Sequence, residues 1–170
     1  ATKDPLSSDF FEVGAVTDDN STINATITEG LDAPGDLSTP YTINVGDTFI
    51  GTLNADFDFV GLNVVQGETY EVTLTGHGGN PIDDPYSGLL NSDNIVLVED
   101  DDSGPGLSSK FVWTATYTGV AYLVADTYSS NEFGSYALSV AATAAPTPPP
   151  VGTYQEMADY LTDGHWQEDG

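Results

Sequence analysis

From residue 41 to residue 141 the chain is a succession of short runs rich in Val, Thr, Tyr and Phe, each closed by turn residues. The runs are YTINVGDTFIGTL, FVGLNVV, ETYEVTLTG, NIVLVED, SKFVWTATY, GVAYLVADTY and GSYALSVAA. Turns fall at Val45-Gly46-Asp47, Gln66-Gly67-Glu68, Thr118-Gly119 and Phe133-Gly134. Strands this short and this regularly spaced bury a face most readily by stacking into an antiparallel sandwich or barrel. Side chains alternate across a strand, so Tyr70, Val72 and Leu74 share one face while Glu71 and Thr73 take the other. Tyr136, Leu138 and Val140 form a second apolar face, and Phe111, Trp113 and Ala115 a third. No helical period is sustained before residue 150. The expected fold is all-β, an antiparallel, jelly-roll-like β-sandwich.

The flanks differ from this middle. Residues 1–40 are polar and are expected to form an extension partly packed on the sandwich, with DFFEVG and TINATIT as short edge strands. Residues 142–152 are an Ala/Pro linker whose Pro148-Pro149-Pro150 run favours extended polyproline geometry. In residues 153–170 the period changes: Tyr154, Met157, Ala158 and Leu161 line one helical face. Thr153 and Glu156 fit a capping box, and Gly164 stands where a C-terminal cap belongs. A short helix is expected over about 154–163. At ~10 residues it is marginal alone in water, so its apolar stripe calls for a partner outside this segment.

A chain of 170 residues can bury a real core without staples, and with no Cys it has no disulfide, thiolate metal site or cysteine nucleophile. Asp and Glu number 27 against two basic residues, Lys3 and Lys110, for a formal charge of −25. Such a charge repels phosphate backbones and anionic membranes, which excludes nucleic-acid and membrane partners. No apolar run approaches the ~20 residues of a membrane span. ATKDPLSSD lacks a charged start followed by an apolar stretch, so a secreted form is expected to begin after its leader. The acid excess suits either a surface adapted to salt or calcium, which takes carboxylate and carbonyl oxygens.

Three acidic clusters stand out. In NADFDFVG, Asp56 and Asp58 are two apart and would point to one side of an extended strand, where they repel unless a cation or donors intervene. In VEDDDSGPGLSS, Glu99, Asp100, Asp101 and Asp102 precede a turn that can add carbonyl oxygens around a calcium ion. NPIDDPYSGLL offers Asp83 and Asp84. Solvated edge charges that deter strand pairing explain the same residues without a metal. Asp18 to Glu29 has the length of an EF-hand loop, but Ile23 occupies the position that needs Gly, so no EF-hand is expected. Catalytic patterns are thin. His77 and His165 are far apart, and neither HExxH nor GxSxG occurs. Asn20 and Asn24 sit in glycosylation sequons. Tyr41, Tyr86, Tyr117, Tyr122 and Tyr128 serve either a ligand platform or ordinary strand packing.

Read in order, G-x-L, D-x-D-aromatic, G-x-x-Y, D-P-Y, D-D-x-G-x-G-L-x-S and G-x-Y-x-L-x-V make residues 41–140 resemble the bacterial pre-peptidase C-terminal domain. The resemblance implies a non-catalytic β-sandwich attached to a secreted peptidase, with calcium bound in some relatives. Asp56 and Asp58 match the D-x-D, Asp84 the D-P-Y, and Asp101, Asp102 and Gly104 the D-D-x-G loop. Phe59 replaces the usual Trp or Tyr, and DDDSGPG carries one acid more than the typical loop. TYQEMADYLTDGHWQEDG resembles the opening of serralysin-like zinc metallopeptidase domains, which implies a protease downstream that holds the zinc. The expected calcium ligands are Asp56, Asp58, Asp84, Asp100, Asp101 and Asp102. The expected protein is a secreted, extracellular, monomeric accessory domain whose partners are its own protease domain and a polymer such as collagen or polysaccharide. A pro-domain that inhibits or chaperones the protease, or a stand-alone binding module, are the alternatives.

Overall fold

The computed structural model describes residues 24–54, 56–129 and 132–144. Ten strands run in chain order: β1 (Thr26–Thr28), β2 (Thr42–Ile43), β3 (Thr48–Leu53), β4 (Asp58–Val64), β5 (Thr69–Gly76), β6 (Pro85–Leu90), β7 (Val96–Asp100), β8 (Ser109–Thr114), β9 (Gly119–Thr127) and β10 (Gly134–Thr143). They form two five-stranded sheets, ordered β1-β3-β10-β5-β8 and β2-β4-β9-β6-β7. Successive strands alternate between the sheets except at the β6–β7 hairpin. The described residues contain no helix. DFFEVG, Asp18, Asn20, the linker beyond Ala144, the helix expected at about 154–163 with its caps, and His165 lie outside the described residues.

The alternating faces meet as the inner layer. Tyr70, Val72, Leu74, Tyr136, Leu138, Val140, Phe111 and Ala115 are buried, with Trp113 packed against them. Phe49 on β3, Leu62 on β4 and Leu123 on β9 complete the centre. Each such side chain contributes roughly 1.5–3 kcal/mol when fully buried.

Two expectations need correction. The sheets are mixed rather than antiparallel, because β1 pairs with β3 and β2 with β4 in parallel. The cause is the alternation itself. A chain that crosses to the other sheet and back has reversed twice, so it returns in its first direction. Both parallel strands are short, as edge strands tend to be. Buried Asp47 fastens this edge, since its carboxylate accepts the N–H groups of Ala25 and Asn44 at 3.0 and 2.8 Å. The other correction is β6, which lies inside its sheet between β9 and β7 although PYSGLL has no strand-like composition. Pro85 occupies the first strand position, where its missing N–H costs least. Buried Ser87 is satisfied by donating to the Val124 carbonyl at 2.8 Å.

Candidate cation site

At one end of the sandwich three carboxylates converge. Asp58 opens β4 and points inward on the same face as Val60, Leu62 and Val64, and it is fully buried. Glu29 follows β1, and its own N–H extends the pairing to the Ile50 carbonyl at 2.9 Å. Asp32, exposed, follows the bend at Gly30 and Leu31. One oxygen from each of Glu29, Asp32 and Asp58 lies within 4.8 Å of the others.

Neighbouring groups hold these acids in place. Glu29 accepts the Ala33 N–H at 2.7 Å on one oxygen and the Thr52 N–H at 2.8 Å on the other. The Asn54 amide donates to Asp32 at 2.6 Å. The Tyr41 hydroxyl accepts the Gly30 and Leu31 N–H groups and steadies the bend. From the opposite sheet, the Tyr136 hydroxyl donates to Asp58 Oδ2 at 2.6 Å. Asp58 Oδ1 is buried with no partner. A carboxylate left half-satisfied in the interior is costly. Burial pushes the Asp58 carboxyl up to about 7, against the lowering effect of Tyr136 and with help from the charges of Glu29, Asp32 and Asp56. Burial and the same carboxylate push the Tyr136 phenol far upward.

Three carboxylates with an orphaned inner oxygen fit a hard divalent cation. The donors are all oxygen, which suits calcium over zinc or copper. Calcium would neutralise the mutual repulsion, and Glu29, Asp32 and Asp58 would hold it.

Gly51 makes the arrangement feasible. It stands opposite Tyr136 in the β3–β10 ladder, and a Cβ there would overlap the Tyr136 hydroxyl and ring. Gly51→Ala is therefore expected to push the phenol off Asp58 and destabilise the chain by about 1–3 kcal/mol, the usual cost of overpacking. Urea unfolding measures it, and an unchanged midpoint would contradict the tight seat.

The expected ligands divide. Asp58 is at the site. Asp56 is exposed and does not join it, because β4 begins only at Asp58 and the two carboxylates do not share a strand face. Asp84, Asp101 and Asp102 come together in a second cluster within 4.8 Å of one another. Asp84 Oδ1 and Asp101 Oδ1 there lack partners. Burial and the charges of Asp102, Asp84 and Asp100 push Asp101 up. All three side chains keep some solvent exposure, and none is fully buried as Asp58 is. Asp100 has another role. Its Oδ2 accepts the Ser103 and Lys110 N–H groups at 3.1 and 2.7 Å and closes the loop between β7 and β8. Burial raises its carboxyl, but these hydrogen bonds outweigh burial and hold it below the usual range. Glu29 and Asp32 were not among the expected ligands. The EF-hand spacing touched Glu29, but Glu29 works instead through the β1–β3 pairing. His77 is exposed in the turn after β5.

No family model matches the chain, and no curated protein matches it. Among solved structures it is similar to the pre-peptidase C-terminal domain of a collagenase from Bacillus anthracis, at 20% identity over 59% of this chain and 92% of that one, with a TM-score of 0.47. It is also similar to PliG of Aeromonas hydrophila, a periplasmic inhibitor of g-type lysozyme, at 12% identity over 68% of this chain and 98% of that one, with a TM-score of 0.39. Both likenesses are distant and say nothing of this chain's ligand or activity.

Proposed function

We propose that the chain is a non-catalytic accessory module of a secreted zinc metallopeptidase, acting outside the cell and stabilised by calcium. The observation that carries the calcium reading is the buried, unpartnered Oδ1 of Asp58, on a carboxylate that gathers with those of Glu29 and Asp32. Bound calcium would tie the bend after β1 to the start of β4, and so the edge of one sheet to the other. The Asp84, Asp101 and Asp102 cluster is a weaker second seat, because it has no fully buried carboxylate such as Asp58.

The accessory reading rests on the ordered motifs between Gly51 and Val140 and on the metallopeptidase-like segment after residue 152. Zinc and hydrolysis belong on this reading to the protease domain. The module's partners are that domain and an extracellular polymer, and it works as a monomer.

Purified chain incubated with casein and gelatin, with zinc added, is expected to leave both intact. Cleavage that disappears in His77→Ala would refute the accessory reading.

A further inference from the structure

The outer face of the second sheet is hollowed at one glycine. Across its strands Phe59 stands opposite Val124, Val124 opposite Gly88, and Gly88 opposite Glu99. In the neighbouring rank Tyr86 stands opposite Asp126. Gly88 adds no side chain, so the surface sinks between its flanks. The result is a cleft of about 260 Å³ walled by Phe57, Phe59, Tyr86, Val96, Glu99 and Asp126.

Nothing in the fold demands glycine at this position. Its φ is not positive. A Cβ there would meet the Val98 carbonyl at 3.5 Å and Glu99 Cβ at 3.7 Å, which is ordinary contact. The walls are braced in pairs. The Tyr86 hydroxyl donates to Glu99 Oε2 at 2.7 Å, and the Phe57 and Phe59 rings lean together at 5.8 Å. Phe57 remains 41% exposed, an aromatic surface open to a partner.

The charge around the cleft has one sign. Glu99 and Asp126 face it, and Lys110, the only Lys or Arg among the described residues, is on the other sheet with Glu71 at 3.0 Å. We propose that the cleft seats an arginine side chain from a basic polypeptide segment, its guanidinium against the Phe57 and Tyr86 rings and the Glu99 and Asp126 carboxylates. A guanidinium is planar and weakly hydrated, stacks on aromatic faces and pairs with carboxylates. Burial pushes the Asp126 carboxyl up, so its charged form gains from a cation placed beside it. A neutral sugar would leave both carboxylates uncompensated, and a polyanion would be repelled. The volume also argues for a single long side chain, since sites that enclose a whole small molecule run to ~300–1,000 Å³.

The inference names the partner chemistry of the accessory module proposed above and rests on that reading. The test is fluorescence anisotropy of the full chain with a fluorescein-labelled Gly-Arg-Gly repeat peptide and with its citrulline counterpart, which is neutral. Calcium-dependent melting on the same samples separates a failure of the cleft from a failure of the cation site. The arginine peptide is expected to bind, and the citrulline peptide to bind about tenfold more weakly or less. Gly88→Val, a β-branched residue suited to a strand, should fill the floor and weaken the arginine peptide about tenfold or more. Glu99→Gln should also weaken it, while Glu68→Gln, in the β4–β5 turn away from the cleft, should not. If Gly88→Val lowers the melting temperature, Glu99→Gln against Glu68→Gln decides. Equal binding of the citrulline peptide would overturn the proposal. So would equal loss in Glu99→Gln and Glu68→Gln, or preference for a neutral collagen-like triple helix or a xylan oligosaccharide over the arginine peptide.

Discussion

Adding calcium to chelator-stripped chain is expected to raise its melting temperature, and Asp58→Asn to abolish most of the rise. A ligand that binds only the native state stabilises it by RT ln(1 + [L]/Kd), about 2.7 kcal/mol at a hundredfold excess over Kd. For a domain of this size that corresponds to a rise of about 10 °C. The variant has a second, opposite signature. Asn keeps the shape of Asp58 and still accepts the Tyr136 hydroxyl, but it carries no charge into the interior. Without calcium, Asp58→Asn is therefore expected to melt at or above the unsubstituted chain, and with calcium below it. A residue that merely supports the fold would lower both curves. Asp101→Asn should leave most of the calcium response intact, because Asp101 belongs to the separate, half-exposed cluster. Loss of the response in Asp101→Asn but not in Asp58→Asn would assign the cation to the wrong end.

The second large effect is on pH. Without calcium the chain is expected to lose stability as pH rises from about 4 to about 7, the window between the ordinary carboxyl value of 3.8 and the raised value of Asp58. In that window native Asp58 keeps a proton that the unfolded chain has released. The native state therefore binds more protons, and the free energy of unfolding falls with pH. The proton-linked stability is fully present below the unfolded value and gone once pH has passed the folded one. After allowance for solvent screening the loss is on the order of 2–4 kcal/mol. Asp101 and Asp126, also raised, add in the same sense, while Asp36 and Asp100, held low, act oppositely and only at more acid pH. Calcium reverses the sign, since it requires the ionised carboxylate and its contribution fades as pH drops through about 7. Urea midpoints across this range in excess chelator measure the slope. A flat profile, or one that Asp58→Asn leaves unaltered, would mean that Asp58 is already satisfied.

How much of this was legible in the sequence depends on whether a signal was local. Tyr70, Val72 and Leu74 announce their strand because alternation needs only neighbours along the chain. Tyr136 was read as part of an apolar face, and its buried hydroxyl was the neglected clue, since such a group needs a partner. That partner is Asp58. Asp58 was visible as an acid, but its inward direction was not, because nothing in NADFDF marks where the bend ends and β4 begins. Glu29 and Asp32 were invisible as ligands. They are isolated acids in a polar stretch, and only the parallel β1–β3 pairing carries them to Asp58. Of the second cluster, the run Glu99 to Asp102 was legible as adjacent acids, whereas Asp84 comes beside it only through the β6–β7 hairpin, which sets Ser87 opposite Asp100. β6 was not among the expected strands, since Pro85 and Gly88 are residue types that weaken a strand pattern, whereas pairing with two neighbouring strands fixes it as one.

Isothermal titration of calcium into chelator-treated chain, above the pH at which Asp58 ionises, puts the three-carboxylate site to the most direct trial. The account predicts saturable binding that falls by about tenfold or more in both Asp58→Asn and Asp32→Asn and changes little in Asp101→Asn. Heats of dilution alone, or isotherms that Asp58→Asn and Asp32→Asn leave unaltered, would contradict it.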